Sequence, residues 1–126
     1  MSDIPQRRVL IIEDDDFLRT LAFNKLQNSG FFVESANDGA LGYEKIKSNI
    51  YDVIILDLLL PNLDGFQILE KMRTEHIMNH GNIIVFSNLG TENDIQRISE
   101  YGITNYMIKS SFTLDELVAK IHEIIG

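Results

Sequence analysis

Residues 53–61 read Val53-Ile54-Ile55-Leu56-Asp57-Leu58-Leu59-Leu60-Pro61. They are the most apolar stretch of the chain, and the β-branched residues before the single carboxylate are typical of a strand buried on both faces. The run is far shorter than the roughly 20 apolar residues that a membrane-spanning helix needs. It therefore predicts a central strand that ends directly at a charged group.

Short apolar runs of this kind alternate with segments in which apolar residues recur with helical period. The alternation predicts an α/β fold, a doubly wound five-stranded parallel sheet of order 2-1-3-4-5 with helices on both faces. The second run is short and gives way to Glu34 and Ser35, which indicates an edge strand. The predicted strands are residues 9–12, 31–33, 53–56, 83–86 and 106–108.

Capping residues and glycines indicate where helices begin and end. Thr91, followed by Asp94, resembles a capping pair, and Asp38 and Thr113 are candidate caps of the second and fifth helices. Gly30 and Gly102 stand where a left-handed residue would end a helix.

The predicted fourth helix, about residues 91–101, offers only Ile95, Ile98 and Tyr101 to the core. Because little burial accompanies its formation, we expect it to be the least stably packed helix.

Composition limits the function. The 126 residues fit one domain, 1–126, and 11 Lys+Arg against 19 Asp+Glu give a formal net charge of -8. That sign opposes direct nucleic-acid binding, and the absence of cysteine excludes thiolate chemistry. Residues 1–8 lack the pattern of a secretory signal, so we expect a cytoplasmic protein without a membrane association.

Carboxylates follow the first and third predicted strands. The first strand runs into Glu13-Asp14-Asp15-Asp16, and the third runs into Asp57. Since these strands are neighbours in the predicted order, their carboxyl ends share a crevice, where clustered carboxylates require protons or a cation. Hard oxygen ligands of this kind suit Mg²⁺. Asp15 and Asp16 are more simply residues that favour the start of a helix.

Two further polar groups follow strands four and five, namely Ser87 and Lys109. Each alone is more often a turn hydroxyl or a solvated amine. Together with the acidic cluster they form the set needed to transfer a phosphoryl group to an aspartate. Asp57 would be the nucleophile, Lys109 and Mg²⁺ would neutralise phosphoryl oxygens, and Ser87 would donate a hydrogen bond.

Four segments now form a specific pattern: Leu10-Ile11-Ile12-Glu13-Asp14-Asp15, Ile55-Leu56-Asp57-Leu58-Leu59-Leu60-Pro61-Asn62-Leu63-Asp64-Gly65, Val85-Phe86-Ser87 and Tyr106-Met107-Ile108-Lys109. On these residues the chain resembles a bacterial two-component response-regulator receiver domain of the single-domain, chemotaxis type, along essentially its whole length. The resemblance implies a flavodoxin-like fold and a cytoplasmic signalling module that catalyses only its own phosphorylation and dephosphorylation.

The resemblance also implies the roles of the site residues. Asp57 would accept phosphate from a histidine kinase or a histidine phosphotransfer protein. Glu13, Asp14, Asp57 and the backbone carbonyl of Leu59 would bind Mg²⁺. Pro61 and Gly65 would shape the following loop, where Pro presets a turn and Gly permits a positive φ.

In the same family a switch pairs the Ser/Thr hydroxyl with an aromatic ring, here Ser87 and Tyr106. Phosphorylation would then change the surface formed by the fourth helix, fifth strand and fifth helix, which a downstream protein partner, not identified by the sequence, would bind.

The chain departs from the family pattern at three places. Ser110 replaces the usual proline after the lysine, which could shift Lys109. Asn88 and Leu89 are bulkier than the residues usual after the hydroxyl. Thr104 and Asn105 replace the acidic residues of the winged-helix transcription-factor branch, so its dimer is not expected.

Other hypotheses remain open. One is a degenerate receiver that binds partners without phosphate. Another is a Mg²⁺-dependent phosphohydrolase, although no cap segment is evident. An FMN-binding domain would need a phosphate-cradling loop in place of residues 13–16. His76 and His80 have the spacing of a zinc pair, but with no third ligand nearby we favour a polar helix end.

Overall fold

Five strands and five α-helices alternate along the chain in the computed structural model, which describes residues 6–126. The strands are β1 (Arg8–Ile12), β2 (Phe32–Ala36), β3 (Val53–Leu56), β4 (Asn82–Ser87) and β5 (Asn105–Ile108). The helices are α1 (Asp16–Asn28), α2 (Gly39–Ser48), α3 (Gly65–Thr74), α4 (Glu92–Ser99) and α5 (Leu114–Ile125). Short 3-10 turns occupy Met78–His80 and Lys109–Ser111.

All neighbouring strands are parallel, and their order is β2-β1-β3-β4-β5, which confirms the predicted topology. The three inner strands are almost completely buried, as helices on both faces require. Alternate residues of β3 enter different layers: Ile54 and Leu56 pack on one side of the sheet, and Val53 and Ile55 on the other. Each fully buried aliphatic side chain contributes about 1.5–3 kcal/mol relative to an exposed one.

The prediction that β2 gives way at Glu34 and Ser35 is wrong. Both residues pair with β1, opposite Leu10 and Ile11, and the strand continues to Ala36. Glu34 is stabilised in the strand because its carboxylate accepts a 2.9 Å hydrogen bond from the Tyr51 hydroxyl. β2 does lie at an edge of the sheet, where polar side chains remain partly solvated.

The predicted capping residues and left-handed glycines are confirmed. The side chains of Asp38, Thr91 and Thr113 each accept a hydrogen bond from a backbone amide of the helix that follows, at 2.8, 3.1 and 3.1 Å. Gly30 and Gly102 have φ values of 96° and 82°, the left-handed conformation expected of them.

The fourth helix is shorter than predicted, because it ends at Ser99 rather than near residue 101. Only Ile98 of this helix is buried, whereas Ile95 is 39% exposed. Tyr101 follows the helix, and its hydroxyl donates a 2.8 Å hydrogen bond to Glu70 on α3. The low burial agrees with the expectation of weak packing, which itself remains a prediction.

The histidines do not form a metal pair. His76 is exposed, whereas Nδ1 of His80 lies 2.6 Å from the carbonyl oxygen of Ile46 at the end of α2. In residues 6–126, one group of side chains is placed to hold a metal. It is a cluster of carboxylates and contains no histidine.

No helix in the described part of the chain is both long and apolar enough to cross a membrane. The prediction that the chain start lacks a secretory signal is based on residues 1–8. Of these, residues 1–5 lie outside the described residues.

Candidate functional site

Adjacent parallel strands bring the acidic residues together. β1 and β3 are paired with Ile12 opposite Leu56, and the amide of Asp57 donates a 3.1 Å hydrogen bond to the carbonyl oxygen of Ile12. The next residues, Glu13 and Asp14, therefore emerge beside Asp57. One carboxylate oxygen from each of the three side chains lies within 4.8 Å of the others. The predicted convergence of the two strand ends is thus present in the structure.

The three carboxylates differ in exposure. Glu13 and Asp57 are each only 4% exposed, whereas Asp14 is exposed. Asp14 also borders an open cavity of about 510 Å³, whose other walls are residues 58–61, Asp64, Phe66 and Leu89. The acidic cluster is therefore deep on one side and open to solvent on the Asp14 side.

Lys109 lies between the two buried carboxylates. Its Nζ is 2.8 Å from Oδ2 of Asp57 and 2.5 Å from Oε1 of Glu13, and its side chain is 13% exposed. Burial lowers the pKa of Lys109, but the hydrogen bonds to Asp57 and Glu13 outweigh that effect and leave the pKa raised. Burial raises the pKa of Glu13, and the hydrogen bond from Lys109 offsets this only in part. A charged Lys109 thus partly neutralises the buried acids.

Ser110 does not keep Lys109 away from the site. The peptide bonds of the described residues are all trans, including the one that joins Lys109 to Ser110. Residues Lys109–Ser111 form a 3-10 turn before α5, and from that turn the ammonium reaches both carboxylates.

Ser87 and Tyr106 are connected through the backbone of Leu89. Ser87 ends β4 fully buried, and its Oγ accepts a 3.3 Å hydrogen bond from the amide of Leu89. The half-buried Tyr106 donates a 2.5 Å hydrogen bond from its hydroxyl to the carbonyl oxygen of Leu89. Burial is the main reason why the pKa of Tyr106 is raised to about 12. The sequence pointed to both residues but not to Leu89 as the group that both contact.

The loop after β3 folds back over Asp57. The amide of Leu59 donates a 3.2 Å hydrogen bond to Oδ1 of Asp57, so the backbone of Leu59 lies beside the carboxylate. The predicted positive φ at Gly65 is wrong, since it is Asn62 that has a φ of 69°. Gly65 is required for another reason: a Cβ there would lie 2.7 Å from the Asp57 carbonyl oxygen.

Arg19 is a residue near the site that the sequence did not indicate. Nη1 donates a 3.0 Å hydrogen bond to the carbonyl oxygen of Glu13, and Nη2 lies 2.5 Å from Oδ1 of Asp16. The only sequence signal is the (i, i+3) spacing of Asp16 and Arg19, which is common on helices.

Comparison with known proteins gives the family of this domain. The family model for the response regulator receiver domain matches residues 9–122. The chain belongs to this family of two-component signalling domains.

Curated relatives are longer than this chain. Response regulator ArlR of Staphylococcus saprophyticus is 32% identical over 118 residues, which are 94% of this chain and 52% of the relative. Transcriptional activator protein PfeR of Pseudomonas aeruginosa is 36% identical over 124 residues, which are 97% of this chain and 39% of the relative. The chain spans about half or less of the length of these relatives.

Solved structures agree with the fold. The receiver domain of the Francisella response regulator 1452 has a TM-score of 0.83 and 31% identity, and the match covers 94% of this chain and 96% of that domain. The Thermotoga maritima response regulator TrrA, solved in complex with Mg²⁺-BeF, has a TM-score of 0.78 and 26% identity, with 94% and 99% covered.

Proposed function

We propose that the chain is a phosphorylation-controlled receiver in which Asp57 accepts a phosphoryl group from a phosphohistidine of a histidine kinase or a histidine phosphotransfer protein. The observation that carries the proposal is the convergence of Glu13, Asp14 and Asp57 within 4.8 Å, with the Lys109 ammonium 2.8 Å from Asp57. Whether the chain has its own output domain is a separate matter, and the domain assignment 1–126 remains a prediction.

The donor set fits Mg²⁺. The three carboxylates are hard oxygen ligands, and the backbone carbonyl of Leu59 would be a fourth. This cation uses few protein carboxylates together with water and phosphate oxygens. Mg²⁺ would supply positive charge to the oxygens of the transferred group. TrrA of T. maritima, a similar structure, was solved with Mg²⁺-BeF, which supports Mg²⁺ as the cation. Glu13, Asp14, Asp57 and Leu59 would be its ligands.

The transfer itself is a substitution at phosphorus. A carboxylate oxygen of Asp57 forms the new P–O bond, the P–N bond of the phosphohistidine breaks, and its electron pair remains on the imidazole nitrogen of the donor. Lys109 already contacts Asp57 and would stabilise the oxygens of the phosphoryl group.

Ser87 and Tyr106 would transmit the modification. A hydrogen bond from the Ser87 hydroxyl to the phosphoryl group would compete with its present bond to the Leu89 amide. Because Tyr106 holds the Leu89 carbonyl, the same rearrangement would release the ring. The weakly buried α4, together with β5 and α5, would then present a different surface to a downstream protein partner.

Intact-mass measurement tests the proposal. The protein is incubated with Mg²⁺ and acetyl phosphate or phosphoramidate, and we expect a labile adduct of one phosphoryl group that Asp57→Asn abolishes. Asp64→Asn is the matched control, because it removes the same charge from the same loop while asparagine remains a good cap for α3. Absence of any adduct on the wild type would favour a degenerate receiver, and turnover of phosphomonoesters would favour a phosphohydrolase.

A further inference from the structure

The side chain of Arg19 contacts both ends of residues 13–16, the segment that leads from β1 into α1. Its guanidinium donates to the carbonyl oxygen of Glu13 at 3.0 Å and lies 2.5 Å from the carboxylate of Asp16. Although it is on the first turn of a surface helix, the side chain is only 18% exposed. Asp14 and Asp15 lie between its two partners in the sequence. One planar group therefore spans the segment that carries Glu13 and Asp14, two of the proposed cation ligands.

Other contacts hold the rest of this segment. The amide of Asp15 donates a 3.1 Å hydrogen bond to Oε2 of Glu13, and Oδ1 of Asp15 accepts a 2.8 Å bond from the amide of Leu18. Asp14 is the exposed member of the carboxylate cluster, and its direction depends on the backbone on either side of it. The bond from Arg19 to the Glu13 carbonyl acts on the peptide group that links Glu13 to Asp14.

Two physical roles of Arg19 predict opposite effects on cation binding. As a positive charge in contact with the segment that carries Glu13 and Asp14, Arg19 opposes the approach of a cation, so its removal would strengthen binding. As a group that fixes the backbone, it holds Asp14 in place for a cation that demands nearly ideal octahedral geometry, so its removal would weaken binding. The low exposure of the Arg19 side chain, 18%, and its bond to a main-chain carbonyl favour the second role.

We propose that Arg19 is a positioning residue of the divalent-cation site, which fixes the peptide between Glu13 and Asp14. This inference rests on the proposed function, since it assumes that the carboxylates bind Mg²⁺. It also specifies selectivity: a rigidly held segment favours Mg²⁺ over Ca²⁺, because Ca²⁺ tolerates longer and more variable coordination.

The test measures the affinities of Mg²⁺ and Ca²⁺ by titration calorimetry for the wild type, Arg19→Gln and Arg19→Lys. We expect Arg19→Gln to weaken Mg²⁺ binding by about 10-fold, the lower end of what loss of an outer-shell group costs, and Ca²⁺ binding by less. Arg19→Lys keeps the charge but lacks the two-armed donor, so it should show the same loss of Mg²⁺ preference.

Lys25→Gln is the matched control. It removes the same charge from the same helix, and Lys25 pairs at 2.6 Å with Asp115, an aspartate 82% exposed, as Arg19 pairs with Asp16, 86% exposed. Of these two residues, only Arg19 also contacts the backbone of the proposed cation site. The control should therefore keep the wild-type preference for Mg²⁺.

The outcomes are distinct. If the wild type binds Mg²⁺ and Arg19→Gln binds it equally or more tightly, the positioning role is wrong and the proposed function stands. If the wild type binds no Mg²⁺, both fail. Urea unfolding of the same samples shows whether each variant is folded, and Arg19→Lys, which keeps the packing of the aliphatic stem, decides the question if Arg19→Gln does not fold.

Discussion

The hydroxyl of Tyr106 donates a 2.5 Å hydrogen bond to the carbonyl oxygen of Leu89 and thereby joins β5 to the segment between β4 and α4. The amide of the same Leu89 donates to Ser87 at 3.3 Å. One backbone residue is therefore held from both sides by the two proposed switch residues. In the proposed switch, Leu89 would therefore connect a movement of Ser87 to the position of the Tyr106 ring.

Tyr106→Phe should shift the balance between the two forms of the switch. Loss of a hydrogen bond of this kind lowers the free energy of unfolding by about 1 kcal/mol. If the bond is present only in the unphosphorylated form, its loss favours the phosphorylated form. The variant should then bind Mg²⁺-beryllofluoride, used in place of a phosphoryl group, about 5-fold more tightly. Urea unfolding and calorimetry measure the two effects. Tyr51→Phe is the control, since it removes a hydroxyl that bonds Glu34 away from the site. Equal beryllofluoride affinity in Tyr106→Phe and the wild type would contradict the switch role.

Asp14→Asn should stabilise the protein when no divalent cation is present. Like charges within 4.8 Å repel, and with the solvent screening expected at an exposed group the relief is on the order of 1 kcal/mol. Mg²⁺ at 100 times its Kd should stabilise the wild type by about 2.7 kcal/mol and the variant far less. Thermal unfolding with and without Mg²⁺ measures both effects. Asp15→Asn, which keeps a good cap on α1, should respond to Mg²⁺ as the wild type does.

Lys109→Met should destabilise the folded state by about 3 kcal/mol at neutral pH, because it leaves two buried carboxylates without their partner. Lys25→Met, which breaks an ion pair with an exposed aspartate, should cost about 0.5 kcal/mol or less. Urea unfolding provides both values, and similar losses in the two variants would contradict the proposed burial effect.

The loss in Lys109→Met should also depend on pH. The pKa of Glu13 is raised in the folded protein, chiefly by burial, so protonation of Glu13 favours folding, and this contribution disappears as the pH rises through the folded-state pKa. Without Lys109 the pKa of Glu13 should rise further. The difference in stability between variant and wild type should therefore shrink at mildly acidic pH. A difference that grows on acidification would contradict this sign.

Gly39→Ala should be strongly destabilising, because a Cβ at Gly39 would lie 1.5 Å from the carbonyl oxygen of Leu63 in the loop after β3. We expect a loss of about 3 kcal/mol by urea unfolding, together with weaker Mg²⁺ binding, since that loop carries Leu59. Gly30→Ala is the comparison: its Cβ would meet nothing within 4 Å, so only the positive φ opposes it, at about 1 kcal/mol. Equal losses in the two variants would contradict this prediction, because they would mean that the loop containing Leu63 moves aside at little cost.

Much of this arrangement follows from periodicity alone. Parallel strands that are neighbours must end at the same edge, so the sequence predicts that Glu13, Asp14 and Asp57 lie together. The extent of β2 could not be predicted, because the bond from Tyr51 that stabilises Glu34 joins residues 17 positions apart. The need for Gly65 was predicted for the wrong reason, since close approach of two backbones has no signature in a single sequence.

The burial and the contacts of the site residues could not be predicted from local sequence patterns either. That Glu13 is buried while Asp14 is exposed depends on how α1 and the loop after β3 cover the edge of the sheet. The same holds for the contact of Arg19 with the Glu13 carbonyl, because the sequence spacing specifies only its pairing with Asp16.

Lys109 also sets the net charge that an ion bound in the pocket would meet. Three carboxylates and one ammonium leave two negative charges when all four groups are ionised. One divalent ion makes the pocket electrically neutral, whereas a sodium or potassium ion leaves it anionic and a lanthanide makes it cationic. If the pocket binds a cation as proposed, this charge balance favours a divalent ion independently of ionic radius.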